Sequence, residues 1–407
     1  MKEIASKRLL MCVPFVPYPP KSGGKIRVYQ ALRYLSRYYR ISLIALQDPL
    51  QEVDDVKPLR SFCEEMYILR GPKFLPFKLH HFRDFFSKMP GSLVVHSSAL
   101  VKKAKELGER GRFDVLQMEF SPLAHYASIL PGKCKAITFH YLAEEGYKGL
   151  VNQLKPGFRR WYFERERIKA KSYELKLLSM YDQAFVTSEK HRLILKRGNK
   201  MIPIEVIPNG VDTKFFSPQP RLEKKPVFLF IGSLHITAAN VESLELALNY
   251  VFPRVKRQLP NAVLRVIGRG LPESVKRAHS SLDIEFLGEV DDVRPHLADS
   301  TAVLLPMRSG SGTKLRIPTA MAMGRVVITT EEGLAGFECE KGKHLLVEND
   351  LNRMADQAVR LSIDNEWREE IEHESRRFVE QEYDWERIFE RQVELYESIG
   401  CGKGIWK

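Results

Sequence analysis

The chain is poor in cysteine. Five residues, Cys12, Cys63, Cys134, Cys339 and Cys401, are scattered over 407 positions. They are odd in number and none belongs to a CxxC pair. This argues against a disulfide framework and against a thiolate zinc site, and it fits a reducing compartment. The 11 histidines include no HxxxH pair. There is also no DxD triplet of the kind that holds a divalent metal on a diphosphate; the nearest imitation, "LDIEF" at 282–286, reads as a strand. No metal ligands are therefore expected. Apolar runs are short, and none approaches the roughly 20 residues needed to cross a bilayer. Leu9–Val16 follows Lys2, Lys7 and Arg8, but it holds Pro14, has no small-residue cleavage site and stops at "PYPP". It reads as a first buried strand rather than a signal peptide.

What is present is an ordinary globular composition with an uneven charge. The hydrophobic fraction is 44% and the aromatic fraction 10%, enough for large cores, and the length suggests two domains. The net charge is +13, but residues 1–205 carry 37 Lys+Arg against 20 Asp+Glu, and the remainder 27 against 31. The basic half suggests an anionic partner: nucleic acid, membrane or phosphorylated substrate. A merely solvated basic surface is the competing explanation. No recognised nucleic-acid motif appears, so nucleic acid is not expected.

Short apolar runs alternate with helical spacing in each half: "RLLMCVPFV", "RISLIAL", "EEMYILR", "FDVLQMEF" and "KAITFHY" in the first, "PVFLFIGSL", "AVLRVIGRG", "IEFLGEV" and "AVLLPM" in the second. That pattern predicts α/β architecture with two doubly wound parallel sheets. Prolines, a glycine and charges cluster at 208–225, where a boundary is expected. Ligands of such sheets sit beyond the carboxyl ends of the strands. Four loops of the second half end strands there: Gly232 and Ser233, Gly268 and Arg269, Glu289 and Val290, and the run Arg308, Gly310, Gly312, Thr313. Glycine lets the main chain approach a ligand, and Lys314, Arg316 and Arg308 supply cations, so a diphosphate seat is expected. In the first half Gly23 and Gly24 follow the first strand and Arg27 opens the next helix, where they face the same charge or simply form a strand-to-helix turn. His140 ends a strand at an edge suited to contact with a ligand, although such a histidine is often structural; Glu119 and Glu144 are weaker candidates.

At this point the sequence resembles a family. "VIPNGVDTKFFSP" (206–218), "FIGSL" with Asn240, "EFLGEVDDVRPHLADSTAVLLPMRSGSGTKLRI" (285–317) and "AMAMGRVVITTEEGLAGF" (320–337) are similar to group 1 (family four) glycosyltransferases of the GT-B fold, close to the sugar transferases of polysaccharide clusters. "YDWERIFERQVELYESI" (383–399) resembles their closing helix. The resemblance implies two Rossmann-like domains facing a cleft: an acceptor-side domain at 1–205, a nucleotide-sugar domain at 206–382 and a return helix at 383–407. It implies retaining, metal-independent transfer of a sugar from a nucleotide-diphosphate sugar, with no cofactor, to a glycan or lipid-linked acceptor. The catalytic positions implied are His140, Lys314 and Arg316.

The family usually carries two glutamates with seven residues between them. Here Ser311 takes the first position and Thr319 the second, where the family binds the donor ribose. Pro318 is expected to kink or delay that helix. A weakened GT-B protein that binds a glycan or partner, and a nucleotide-sugar epimerase, are the alternative readings. The basic, aromatic segments 71–90 and 155–176 suggest an anionic membrane surface, so the expected location is cytoplasmic, at the inner membrane face.

Overall fold

The computed structural model describes residues 7–48, 56–71, 90, 94–111, 113–198, 202–234, 238–271, 273–279, 283–310 and 312–398. The chain divides into two compact units, Met1–Pro208 with Ile388–Lys407, and Asn209–Arg387.

The first unit is built on seven strands: β1 (Arg8–Val13), β2 (Arg40–Gln47), β3 (Glu65–Arg70), β4 (Val115–Glu119), β5 (Cys134–Phe139), β6 (Gln183–Val186) and β7 (Ile204–Val206). They pair in parallel in the order β3-β2-β1-β4-β5-β6-β7. Leu9 to Val13 are fully enclosed, as expected of a central strand covered on both faces. Helix α1 (Gly23–Leu35) buries Val28, Ala31, Leu32 and Leu35, the i, i+3, i+4, i+7 stripe of a helix packed on a sheet.

After β5 comes a helical hairpin, α2 (Ala143–Gln153) and α3 (Phe158–Leu178). Glu174 near the end of α3 accepts the Ala143 N–H at 2.7 Å and so closes the first turn of α2. Burial raises the Glu174 carboxyl to about 7. Its folded pKa lies above the unfolded value, so the folded unit holds this proton more tightly and loses stability as pH rises between the two values. The expected loss is at most about 3 kcal/mol between roughly pH 4.5 and 7. Comparing thermal midpoints of the wild type and Glu174→Gln across this range checks it: the wild type falls with rising pH relative to the variant.

The second unit has six parallel strands, β8 (Val227–Ile231), β9 (Val263–Ile267), β10 (Ile284–Gly288), β11 (Ala302–Leu305), β12 (Val326–Thr329) and β13 (Leu346–Val347), in the order β10-β9-β8-β11-β12-β13. The sequence "NVESLELALNYVFPRVKRQLP" (240–260) reads as a single helix. The chain instead widens into a π turn at Ala247–Val251 between Ala238–Leu246 and Phe252–Gln258, just before Pro253, which has no N–H to continue the ladder.

The cysteine expectation needs one correction. Cys12, Cys63 and Cys339 are free, but Cys134 is disulfide-bonded. Spacing in sequence does not exclude a lone bridge, because folding brings distant residues together. Residues 72–89 of the basic aromatic segment lie outside the described residues. Among those described, no helix is long and apolar enough to cross a membrane.

Candidate functional site

In the second unit the strand order reverses between β8 and β11, the position where open parallel sheets take ligands. The loops there are locked to one another through their main chains. Gly232 N–H donates to the Ile267 carbonyl at 3.0 Å and Gly268 N–H to the Gly288 carbonyl at 2.8 Å. A Cβ on Gly268 would stand 1.9 Å from the Gly232 carbonyl oxygen, so only glycine fits. Beyond β9 and β10 opens a cavity of about 190 Å³ lined by Gly268, Arg269, Gly270, Leu271, Lys276 and Glu289, with Val290 next in the chain. Ser233 is half-buried and accepts the Asn240 side-chain amide on its carbonyl at 3.0 Å.

The loop after β11 carries the exposed charge. Arg308 is exposed, and among the described residues no hydrogen bond or ion pair engages it. Gly310 and Gly312 adopt φ of 135° and 75°, backbone that side chains resist. Lys314 Nζ donates to the Gly312 carbonyl at 2.8 Å and more weakly to those of Gly310 and Glu332, so its ammonium gathers the loop around itself. Thr313 accepts a hydrogen bond from the Asn209 amide, which ties "PNGVD" to "GSGTK". Ser311 lies outside the described residues.

Arg316 does not stand beside Lys314 as a solvent-facing cation. Its guanidinium turns inward, donating to the Ile231 carbonyl at 2.5 Å and to Asn240 Oδ1 at 2.9 Å. Burial lowers its pKa to about 10. It is a strut that fixes the Gly232–Ser233 loop from behind. Helix α4 (Arg316–Ala322) begins two residues before Pro318, so the expected kink or delay does not occur. Pro318 falls in the first turn, where the N–H it lacks would have had no helical partner. Thr319 spends its hydroxyl proton on the Leu315 carbonyl at 2.8 Å and keeps only lone pairs for a ligand.

In the first unit the order reverses between β1 and β4. Gly23 and Gly24 open α1 there, and a Cβ on Gly24 would meet the Phe120 ring at 2.9 Å. Phe120 has φ of 74°, the one non-glycine residue in left-handed backbone among the described residues. Such a conformation costs on the order of 1–3 kcal/mol and persists only where the surroundings impose it. Here the ring stacks on His140 at 3.6 Å with planes 7° apart, and its edge meets Phe15. His140 Nε2 lies 2.5 Å from Glu119 Oε2. A carboxylate only accepts, so Nε2 carries the proton and Nδ1 presents a lone pair. Burial holds the His140 pKa below its ordinary value against the opposing pull of Glu119. Glu119 is itself fixed by Gln117 at 2.9 Å, and Gln117 accepts the Tyr396 hydroxyl at 2.6 Å.

Arg27 departs from expectation. It is 2% exposed and donates to the carbonyls of Pro208 and Ile207 at 2.7 and 2.9 Å, so it anchors the end of the first unit. Glu144 is engaged by Arg167 at 2.8 Å on the hairpin. Among the described residues no group of three His, Cys, Asp or Glu side chains is placed to hold a metal. Phe120, Asn240 as a bridge, and the Gln117–Tyr396 support were not foreseen as site residues. A parallel register puts the ends of β4 and β5 side by side, which was the available signal for pairing Glu119 with His140.

Comparison with known proteins bears on both units. Residues 225–364 match the family described as glycosyl transferases group 1, and residues 21–215 match Glycosyltransferase Family 4. A Klebsiella pneumoniae protein described as an "uncharacterized 44.6 kDa protein in cps region" is 24% identical over 92% of this chain and 95% of its own. The phosphatidyl-myo-inositol mannosyltransferase of Mycolicibacterium smegmatis is 26% identical over 49% of this chain and 53% of its own. Sucrose-phosphate synthase from Thermosynechococcus elongatus superposes with a TM-score of 0.71 at 17% identity, covering 98% of this chain and all 100% of that one. HepE from Anabaena, solved with UDP, gives 0.68 at 12% identity over 96% of this chain and 100% of its own.

Proposed function

The chain belongs to the group 1, family 4 glycosyltransferases of the GT-B fold, and from that premise we infer that it moves a sugar from a nucleotide-diphosphate sugar to a glycan or lipid-linked acceptor, with retention and without a metal. The observation that carries the reading is the set of mutually locked glycine loops after β8, β9 and β10, with Arg308 and Lys314 on the loop after β11. The Klebsiella relative from a cps region and the HepE complexes with UDP and UDP-glucose support the polysaccharide setting and the donor class.

In this reading the base enters the cavity by Arg269 and Glu289, the ribose meets Thr319, and the diphosphate lies over Gly310–Lys314. Lys314 gains an anion in place of loop carbonyls, and Arg308 closes on the same charge. These cations and main-chain N–H groups stabilise the leaving diphosphate as the glycosidic bond breaks. Arg316 holds the Gly232–Ser233 loop at its position. His140 Nδ1, whose lone pair is set by the bond to Glu119, accepts a hydroxyl proton of the sugar or acceptor.

Incubation with a panel of nucleotide sugars, read by release of nucleoside diphosphate, tests the assignment; no release from any donor would overturn it. The second reading, a binding protein of weakened catalysis, is favoured by Thr319 alone. Thr319→Glu separates the two. A carboxylate on a ribose diol forms charge-assisted bonds worth about 1.5–3 kcal/mol against about 0.5–1.5 for a neutral group, so donor affinity should rise roughly ten-fold. A gain in affinity without turnover would favour the binding protein.

A further inference from the structure

The tip of the α2–α3 hairpin gathers exposed aromatic and cationic side chains. Residues 155–161, "KPGFRRW", are all exposed. Phe158 is 72% exposed and Trp161 52%, with their rings 5.6 Å apart. Lys155, Arg159 and Arg160 interleave with them, and Lys148 and Leu150 of α2 lie exposed nearby in the chain. Among the described residues no carboxylate pairs with Lys155 or Arg159. The first turn of α3 holds no acidic residue, and Gly157 at its N-cap offers no side chain. The positive end of a 21-residue helix is thus surrounded by cations. Such an arrangement repels itself unless an anion faces it.

The two helices of the hairpin are tied together. Glu174 holds the first turn of α2, Arg167 bonds Glu144 at 2.8 Å, and Tyr147 packs on Phe163. Helix α2 starts three residues after His140, and its 11 residues place the tip about 16 Å along the helix from Ala143.

We propose that this tip docks the protein on an anionic phospholipid surface, with Phe158 and Trp161 entering the headgroup region and Lys155, Arg159 and Arg160 meeting lipid phosphates. Aromatic side chains with a cationic fringe are what a membrane interface accepts. A second copy of the chain is a poorer occupant, because apposed tips would set like charges against each other. The inference deepens the acceptor part of the proposed function: a lipid-linked acceptor is reached from the surface on which the hairpin sits.

Co-sedimentation with vesicles of equimolar phosphatidylglycerol and phosphatidylcholine, against phosphatidylcholine alone, tests it. Binding should be strong on the anionic vesicles, weak on the neutral ones, and reduced by salt. Arg159→Gln with Arg160→Gln should weaken it by roughly five-fold per arginine. Phe158→Ser with Trp161→Ser should weaken it comparably, with circular dichroism confirming the fold of both variants. Equal binding to neutral vesicles, or unchanged binding in both variants, would overturn the proposal, as would tip-dependent self-association or RNA binding in the absence of vesicle binding. The assay uses no donor, and nucleoside diphosphate release by the same variants in solution should equal that of the wild type. A failure of docking is thereby separated from a failure of the transferase reading.

Discussion

Replacing His140 with alanine should lower sugar transfer by about 10²–10⁴-fold, the range for a positioned proton acceptor, while nucleotide affinity should stay as in the wild type. The imidazole is 7% exposed, pinned by Glu119 on one side and the Phe120 ring on the other, so one nitrogen in one orientation is left for a ligand. The effect should therefore fall on kcat, with the donor Kd spared. Its pH profile has a defined sign. Burial depresses the His140 pKa below the ordinary 6.5, so the neutral form that presents the Nδ1 lone pair persists through neutral pH. The acid limb of kcat should appear only below that value. Glu119→Gln keeps an acceptor for Nε2–H but removes the charge, so it should cost less than His140→Ala and shift the acid limb to lower pH. A kcat unchanged in His140→Ala would remove His140 from the chemistry.

Lys314→Ala is the second large effect. The ammonium donates to the carbonyls of Gly310 and Gly312, two glycines with positive φ, and more weakly to that of Glu332, so its loss costs both a cation and the shape of the loop. A charge-assisted contact of about 1.5–3 kcal/mol corresponds to roughly 10–150-fold in nucleoside diphosphate affinity. Arg308→Ala separates the two contributions, because Arg308 has no structural partner among the described residues and its removal should weaken the ligand without lowering the ligand-free midpoint. Calorimetric titration with nucleoside diphosphates reads both. Equal affinity in wild type and Lys314→Ala would show that the loop does not seat the diphosphate.

The strands, their parallel sense and the glycine loops were legible because each is a local property: an apolar run, a helical stripe, a glycine at a strand end. The fates of the arginines were not. Arg27, Arg308 and Arg316 look alike in sequence, but one anchors carbonyls at 207–208, one is exposed and one braces a loop, and only packing separates them. Glu119 and His140 stand 21 residues apart and meet because β4 and β5 are neighbours in register. The positive φ of Phe120 has no signature in the sequence, since phenylalanine is a poor choice for it. The inward turn of Thr319 onto Leu315 likewise depends on α4 starting at Arg316, a start that Pro318 was expected to kink or delay.

The proposed reaction requires that this chain bind a nucleoside diphosphate on its second unit and transfer a sugar from it without metal. A thermal-shift panel of nucleoside diphosphates in the presence of a chelator tests it most directly. At least one nucleotide should raise the melting midpoint under chelation, Lys314→Ala should shrink the rise, and the sugar conjugate of that nucleotide should be turned over. Stabilisation by no nucleotide, or only with a divalent ion restored, would contradict it.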